Sequence, residues 1–304
     1  MDVYSYQKMN SKHILIAGGS GLIGTALSKH LTAEGHHVSI LSRQNKSDFV
    51  YWDLIEGVID ESKIKDVQVL INLCGEGIAD KNWTKSRKKA LLDSRVESTK
   101  LLFKYSEKMP KLEHYISASG ITCYGYDEKF EGYEETDNFG TDYISQLVKK
   151  WEISADLFKS KVTVSKIRTG IVLSDQGGAI DKMIKPIRFS LGASLGSGKQ
   201  ILPWIHINDL SRMFSHIIAF KSEGIFNACA NNSTNLDFMN TLAQSIGKTN
   251  WLPAVPGVLL KMILGEMASL LLKGVHVSNK KIQRTNFKFE YVELKEALKS
   301  LNLK

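Results

Sequence analysis

The residues Gly18-Gly19-Ser20-Gly21-Leu22-Ile23-Gly24 stand between an apolar run, His13 to Ala17, and a stretch with helical spacing (Thr25, Leu27, Leu31) that stops at Glu34-Gly35. A strand, a glycine-rich turn and an opening helix, in that order, make a cradle for phosphate. Gly18 permits the tight turn, Gly21 lets a pyrophosphate approach the backbone, and Gly24 lets the helix pack closely on the strand. The helix N-terminus adds free N–H groups and the positive end of a dipole, so Ser20, Leu22 and Ile23 complete the expected dinucleotide loop.

The end of the second strand, Val38-Ser39-Ile40-Leu41, bears on which dinucleotide. A site for NAD(H) usually places an acid there, to accept hydrogen bonds from the ribose 2′-hydroxyl. This chain has Ser42-Arg43 instead. A hydroxyl and a guanidinium can both donate to a 2′-phosphate that a carboxylate would repel, which favours NADP(H). The competing reading makes Arg43 a solvated loop residue. Asp48 and Asp53 lie too far along to serve at that strand end.

These residues need a frame, and the apolar runs supply one. Further strands are expected around Phe49 to Trp52, Val67 to Leu73, His114 to Ser117 and Val162 to Ile167, with helices over Trp83 to Lys108 and Asp142 to Lys159. The alternation is that of an α/β fold, a doubly wound parallel sheet of the Rossmann type, over residues 12–175. After Leu173 the rhythm breaks into a glycine-rich stretch, so residues 176–304 read as a smaller substrate-side lobe. Part of 203–230, with Pro203 to Asn208 the candidate, is expected to return to the sheet. The apolar stripe of Val258 to Leu272 reads as a core-facing helix of that lobe in preference to a membrane anchor, because its polar face is not notably basic.

Composition narrows the classes. The 304 residues are 43% hydrophobic and 24% charged, enough to bury a full core. Three cysteines, widely spaced, suggest reduced thiols, and the eight histidines show no ligand spacing, so no metal is expected. The net charge of +8 is scattered; the Lys85 to Lys89 cluster opens what reads as a solvated helix, and no nucleic-acid motif accompanies it. With no long apolar run and no apolar leader, the expectation is a cytoplasmic protein that binds a small molecule, without membrane or nucleic-acid partners.

Longer stretches carry a resemblance. They are Asn72-Leu73-Cys74-Gly75-Glu76, Ser94-Arg95-Val96-Glu97-Ser98-Thr99, Arg168-Thr169-Gly170-Ile171-Val172-Leu173, Gly196-Ser197-Gly198-Lys199-Gln200, Pro203-Trp204-Ile205-His206-Ile207-Asn208-Asp209-Leu210 and Leu264-Gly265-Glu266-Met267-Ala268. Over nearly its whole length the chain resembles the extended short-chain dehydrogenase/reductases, and within them the YfcH-like epimerase family with its C-terminal domain of unknown function. The resemblance implies a cofactor groove lined by the glycine loop, Ser42, Arg43, Leu73, Cys74, Gly75, Arg95 and Val172. From the residues alone, Cys74 is equally a core thiol or a contact.

Most of that superfamily moves a proton with a Tyr and a Lys four residues later, aided by a Ser or Thr. The phenol needs a lowered pKa, which a neighbouring ammonium provides. Aligning Glu152 with the acid that usually follows the pair puts Ile144 and Val148 in the two places, and neither carries a proton. Tyr143 is adjacent, but its partner four on is Leu147, and a helix turns about 100° per residue, so it is expected to point elsewhere. The spacings Tyr4/Lys8 and Tyr291/Lys295 read as accidental. Ser119, in Ser117-Ala118-Ser119-Gly120, is the weak catalytic candidate, against a loop-capping serine. Trp204 and His206 fall where extended members line the substrate cleft, although a histidine hydrogen-bonded within the fold is as consistent with the sequence. Three readings stay open: an NADP(H)-dependent oxidoreductase or epimerase-like enzyme with an atypical proton donor, a non-catalytic NADP(H)-binding module that senses or scaffolds, and, more weakly supported, a partner-binding protein that uses the apolar C-terminal helix.

Overall fold

The computed structural model describes residues 11–44, 48–126 and 131–303. The first half of the chain forms β1 (His13–Ala17), α1 (Leu22–Ala33), β2 (His37–Ser42), β3 (Phe49–Asp53), β4 (Val58–Ile59), β5 (Val69–Asn72), α2 (Lys85–Tyr105), β6 (His114–Gly120), α3 (Tyr143–Ala155) and β7 (Thr163–Thr169). Then follow β8 (Ile171–Leu173), α4 (Ala179–Arg188), β9 (Ala193–Leu195), β10 (Ile201–His206), α5 (Ile207–Ala219), β11 (Gly224–Ala228), β12 (Asn231–Thr234), α6 (Asn235–Ser245), β13 (Leu252–Val255), α7 (Gly257–Leu264), α8 (Ser269–Leu272), α9 (Lys280–Gln283) and α10 (Leu294–Lys299).

The large sheet has the order β11-β7-β6-β5-β1-β2-β3-β4. Its strands run parallel except the two-residue β4, which pairs antiparallel with β3. From β1 the chain winds outward through β2 to β4, then returns to β5 on the other side of β1 and winds the opposite way. The reversal leaves a crevice at the C-terminal ends of β1 and β5, the usual ligand position in open α/β sheets.

Successive residues on each strand serve opposite faces. Ile14, Ile16 and Ile71 pack with Leu27 and Leu31 of α1 and with α5. Leu15, Ala17, Leu70 and Tyr115 pack on the other face with Leu101 and Leu102 of α2 and with Phe158, whose ring stacks on Tyr115 at 3.7 Å. Both faces are covered, which is why these strands are nearly uninterrupted apolar runs.

At Gly170 the chain leaves β7 and enters β8, part of a three-stranded sheet ordered β12-β10-β8. A Cβ at Gly170 would lie 2.8 Å from the Pro203 carbonyl oxygen, so the crossing is as tight as glycine allows. The expected return to the large sheet is made by β11, beside β7, whereas Pro203 lies in β10 of the smaller sheet.

A second expectation is corrected at Val258 to Leu272. The stretch is not one helix: Gly265, at φ +57°, ends α7, and a 3-10 turn, Gly265–Ala268, separates it from α8. Nor is the stripe core-facing. Of its residues at helical spacing (Leu259, Leu260, Ile263, Leu264, Met267, Leu270 and Leu271), Ile263 is 61% and Leu259 46% exposed, and Met267 is the member buried. Periodicity identifies residues that share a helix face, but not what covers that face.

A buried carboxylate is among the groups that fasten the C-terminal segment to the sheet domain. Asp209, fully buried in the first turn of α5, accepts hydrogen bonds from the backbone N–H groups of Glu290 (2.9 Å) and Tyr291 (2.9 Å) and from Arg212 (2.6 Å). Asp209→Ala strands those donors and should cost about 3 kcal/mol of stability, read as a lower urea midpoint. A midpoint within error of the parent would show that the clasp contributes nothing.

Candidate functional site

The turn after β1 is shaped by what its glycines lack. Gly18 has φ +78°, and a Cβ there would lie 3.0 Å from the Leu73 carbonyl carbon. At Gly24 it would lie 2.4 Å from the Gly18 carbonyl oxygen, so α1 can approach β1 only with glycine in place. Gly21 differs. Its N–H donates to the Gly18 carbonyl at 3.1 Å, its backbone is extended, and a Cβ would meet nothing closer than 3.4 Å. It is the N-cap of α1 and brings no capping side chain, which leaves the first-turn N–H groups of Leu22, Ile23 and Gly24 directed out of the helix. Space over Gly21 and an uncapped helix end are what a pyrophosphate requires.

Across the crevice stand Leu73, Cys74 and Gly75, immediately after β5. Leu73 donates to the Ala17 carbonyl, and the Cys74 N–H donates to Asn72 Oδ1 at 3.0 Å. Asn72 is held in turn through its amide, which donates to Thr99 Oγ1 and Tyr115 Oη. Burial pushes the Cys74 thiol up to about 12, so it is an uncharged contact and not a nucleophile. Ser42 and Arg43 lie at the end of β2, with Arg43 exposed and Ser42 Oγ accepting from the Gln44 N–H. Asp53 ends β3 and caps its own turn at Ile55 and Glu56. Val172 sits in β8, paired with Ile205. A groove of about 970 Å³ opens at Ser20, Gly21 and Leu22 but runs along α1 and α5, away from Cys74.

Arg95, on α2, lies beneath Gly75. It is 5% exposed, donates to the carbonyls of Leu91 (2.8 Å) and Glu76 (3.0 Å), and lies over the Trp151 ring at 5.0 Å. Its Nε has no partner. The start of α2 is less solvated than its composition suggests, because Arg87 pairs with Glu76 and Lys88 with Glu266.

Ser119 lies at the end of β6, where its hydroxyl donates to Glu152 Oε1 at 2.6 Å. Arg168 grips the same carboxylate with two bonds, Nε at 2.8 Å and Nη2 at 3.0 Å. All three side chains are buried. Arg168 also faces the rings of Tyr124 and Phe139 and donates to the Glu135 carbonyl; Tyr124 donates to Asn227 Oδ1 at 2.6 Å. Burial raises the Tyr124 phenol and the Glu135 carboxyl above their ordinary ranges. The sequence contained one sign of this network, an arginine inside a buried strand, which must have a partner.

Ile144 and Val148 are each 1% exposed and pack in an apolar cluster with Ile121, Cys123 and Tyr124. Tyr143 points away from them, toward Trp83 (5.1 Å) and the Lys88 carbonyl, to which its hydroxyl donates at 3.3 Å. Trp204 and His206 do not face an open cleft. Trp204 is fully buried and donates to Ser233 Oγ. His206 caps α5 by accepting the Asn208 N–H on Nδ1 and contacts Ser300 through Nε2. Its ring stacks on Tyr291 at 3.9 Å, so that tyrosine is a packing residue, while Tyr4 and Lys8 lie outside the described residues. Among the described residues no group of three His, Cys, Asp or Glu could hold a metal, and no helix is long and apolar enough to cross a membrane.

An open parallel sheet, reversed beside β1 and carrying a glycine loop at that reversal, defines the Rossmann class of nucleotide-binding folds. A family model described as "NAD dependent epimerase/dehydratase family" matches residues 14–229, and "Domain of unknown function (DUF1731)" matches 255–301. The mouse epimerase family protein SDR39U1 is 34% identical over 95% of this chain and 99% of its own. The Bacillus subtilis epimerase family protein YfhF is 33% identical over 95% and 97%. A crystal structure of human SDR39U1 isoform 2 with NADPH superimposes with a TM-score of 0.87 at 32% identity, covering 95% of this chain and 98% of that one. The chain belongs to the NAD dependent epimerase/dehydratase family, in the branch that carries the DUF1731 domain.

The buried triad yields a stability test. Glu152→Ala leaves Arg168, 1% exposed, without its counter-ion and should cost about 3–5 kcal/mol. Ser119→Ala, which removes one hydrogen bond, should cost about 1–2 kcal/mol. Chemical denaturation that ranked the two variants equally would show that the ion pair does not organise this part of the core.

Proposed function

We propose that the chain is an NADP(H)-binding protein whose dinucleotide lies across the crevice between β1 and β5. The observation that carries this reading is the uncapped N-terminus of α1 at the switch point, with room above Gly21 and none at Gly24. The α1 N–H groups would hold the pyrophosphate, Ser42 and Arg43 the 2′-phosphate, and Leu73, Cys74 and Val172 the walls of the groove. The NADPH complex of the human relative supports the choice of dinucleotide. When bound, the nicotinamide would supply a hydride to a carbonyl carbon or accept one from the carbon of an alcohol.

For chemistry we favour an oxidoreductase or nucleotide-sugar-epimerase-like activity in which Ser119 is the side chain that meets the ligand. Its one proton is committed to Glu152, whose carboxylate Arg168 also grips, so toward a ligand Ser119 Oγ acts as an acceptor. It would orient a substrate hydroxyl and not protonate a carbonyl. With Ile144 and Val148 in place of a phenol and an ammonium, proton transfer falls to water. The same two residues favour a second reading, a non-catalytic NADP(H)-binding module that senses or scaffolds.

Fluorescence titration should show NADPH bound more tightly than NADH, by about tenfold if one charge-assisted pair of roughly 1.5 kcal/mol is involved, with Arg43→Ala removing the difference. Gly21→Val should fold normally, by circular dichroism, and bind neither. Equal affinities in the parent, or undiminished binding in folded Gly21→Val, would refute the assignment. NADPH oxidation against small carbonyls or nucleotide sugars should be slow, lacking the factor of about 10² to 10⁴ that a general acid contributes. Ser119→Ala should lower it and Tyr143→Phe leave it unchanged; rapid turnover abolished by Tyr143→Phe would restore an ordinary phenol mechanism.

A further inference from the structure

Three arginines gather where β5, β6 and β7 end, and two of them are neutralised. Arg87 pairs with Glu76, and Arg168 is bound twice by Glu152. Arg95 is the exception. Its partners are the Leu91 and Glu76 carbonyls, the Ser94 hydroxyl and the Trp151 ring, all uncharged, and its Nε has none. It forms no ion pair among the described residues. The neighbouring groups that could carry negative charge do not compensate it: burial keeps the Cys74 thiol and the Tyr143 phenol protonated, and Glu266 is engaged by Lys88. Desolvation lowers the guanidinium to about 10, which still leaves it a full cation at neutral pH.

Its place in the fold gives that charge a direction. Gly75 rests on the guanidinium, since a Cβ there would lie 2.8 Å from Cζ, and Gly75 follows Leu73 and Cys74 at the switch point. A dinucleotide spans such a crevice with its pyrophosphate at α1 and its adenosine half toward the end of β2. The nicotinamide half is therefore directed over β5, the side where Arg95 lies. Oxidised and reduced nicotinamide differ by one positive charge on the ring.

We propose that Arg95 sets the redox-form preference of the site: its buried, uncompensated positive charge disfavours the cationic oxidised ring and so selects NADPH over NADP⁺. This rests on the NADP(H) reading above. The repulsion acts through protein and not through bulk water, which makes a single charge count for about tenfold or more in affinity.

Titration of the full chain with NADPH and NADP⁺ at neutral pH, by calorimetry, tests the proposal. The parent should bind NADPH about tenfold or more tightly than NADP⁺. Arg95→Met should bring the two affinities together by improving NADP⁺ relative to NADPH, and Arg95→Lys should keep them apart. A purely structural role would weaken both forms alike and leave their ratio unmoved. Equal affinities in the parent, or an unchanged ratio in Arg95→Met, overturn the proposal. Should Arg95→Met fail to fold, Arg95→Gln, which keeps hydrogen-bond donors without the charge, is read by the same ratio. Binding of neither form by the parent would instead overturn the cofactor reading on which the proposal stands.

Discussion

The close approach of α1 to β1 is the constraint from which the rest of the crevice follows. The helix begins within van der Waals contact of the preceding turn, and it can do so only because Gly24 places no carbon between the two backbones, while Gly18 leaves room for Leu73 and Cys74. The hydrogen bond from Leu73 to Ala17 continues the pairing of β5 with β1 and brings Leu73 and Cys74 against Gly18. Asn72, Thr99 and Tyr115 then fix the far wall from behind. A crevice assembled in this way is set by backbone geometry, so its shape depends little on the rotamers of the side chains that line it.

Buried charge is handled in two opposite ways on the same side of the sheet. Around Arg168 every strong acceptor and donor is matched: Glu152 with Ser119 and Arg168, Tyr124 with Asn227, and the Asn227 N–H with Glu135. Such a network specifies one arrangement of β6, β7 and α3, because any shift strands a charge. Around Arg95 the matching is incomplete. Between the two lies the apolar cluster containing Ile144 and Val148, where α3 behaves as an ordinary core helix. At Ile144 and Val148 the helix supplies packing and no titratable side chain, while the glycine turn after β1 stays open over Gly21.

What could be read from the sequence followed from how local the cause was. The glycine loop, the α1 stop at Gly35 and the strands of the large sheet are produced by short-range sterics and by burial on both faces, and each leaves a mark within a few residues. The two-residue β4 and the three-residue β8 and β9 left none, because so short a strand exists only through its partner. Trp204 and His206 occupy suggestive positions, but what they do is decided by Ser233, Asn208 and Ser300, of which two are remote in sequence. The stripe of α7 failed for the same reason, since its exposure depends on what the rest of the chain leaves uncovered. Arg95 was legible as a helix residue and as part of a family motif; its missing counter-ion is a fact of three-dimensional arrangement.

The passage of the chain between its two main sheets has a mechanical consequence. Besides the return from β10 through α5 to β11, it makes two direct crossings, from β7 through Gly170 into β8 and from β11 through Cys229 and Ala230 into β12. The crossings lie side by side, joined by the bond from the Gly170 N–H to the Ala228 carbonyl. At Gly170 the Pro203 carbonyl leaves no room for a side chain. Leu202, Trp204 and Ile205 of the small sheet share one apolar core with Ile14, Ile16 and Ile71 of the large one, so tilting either sheet about the paired crossings would open that core.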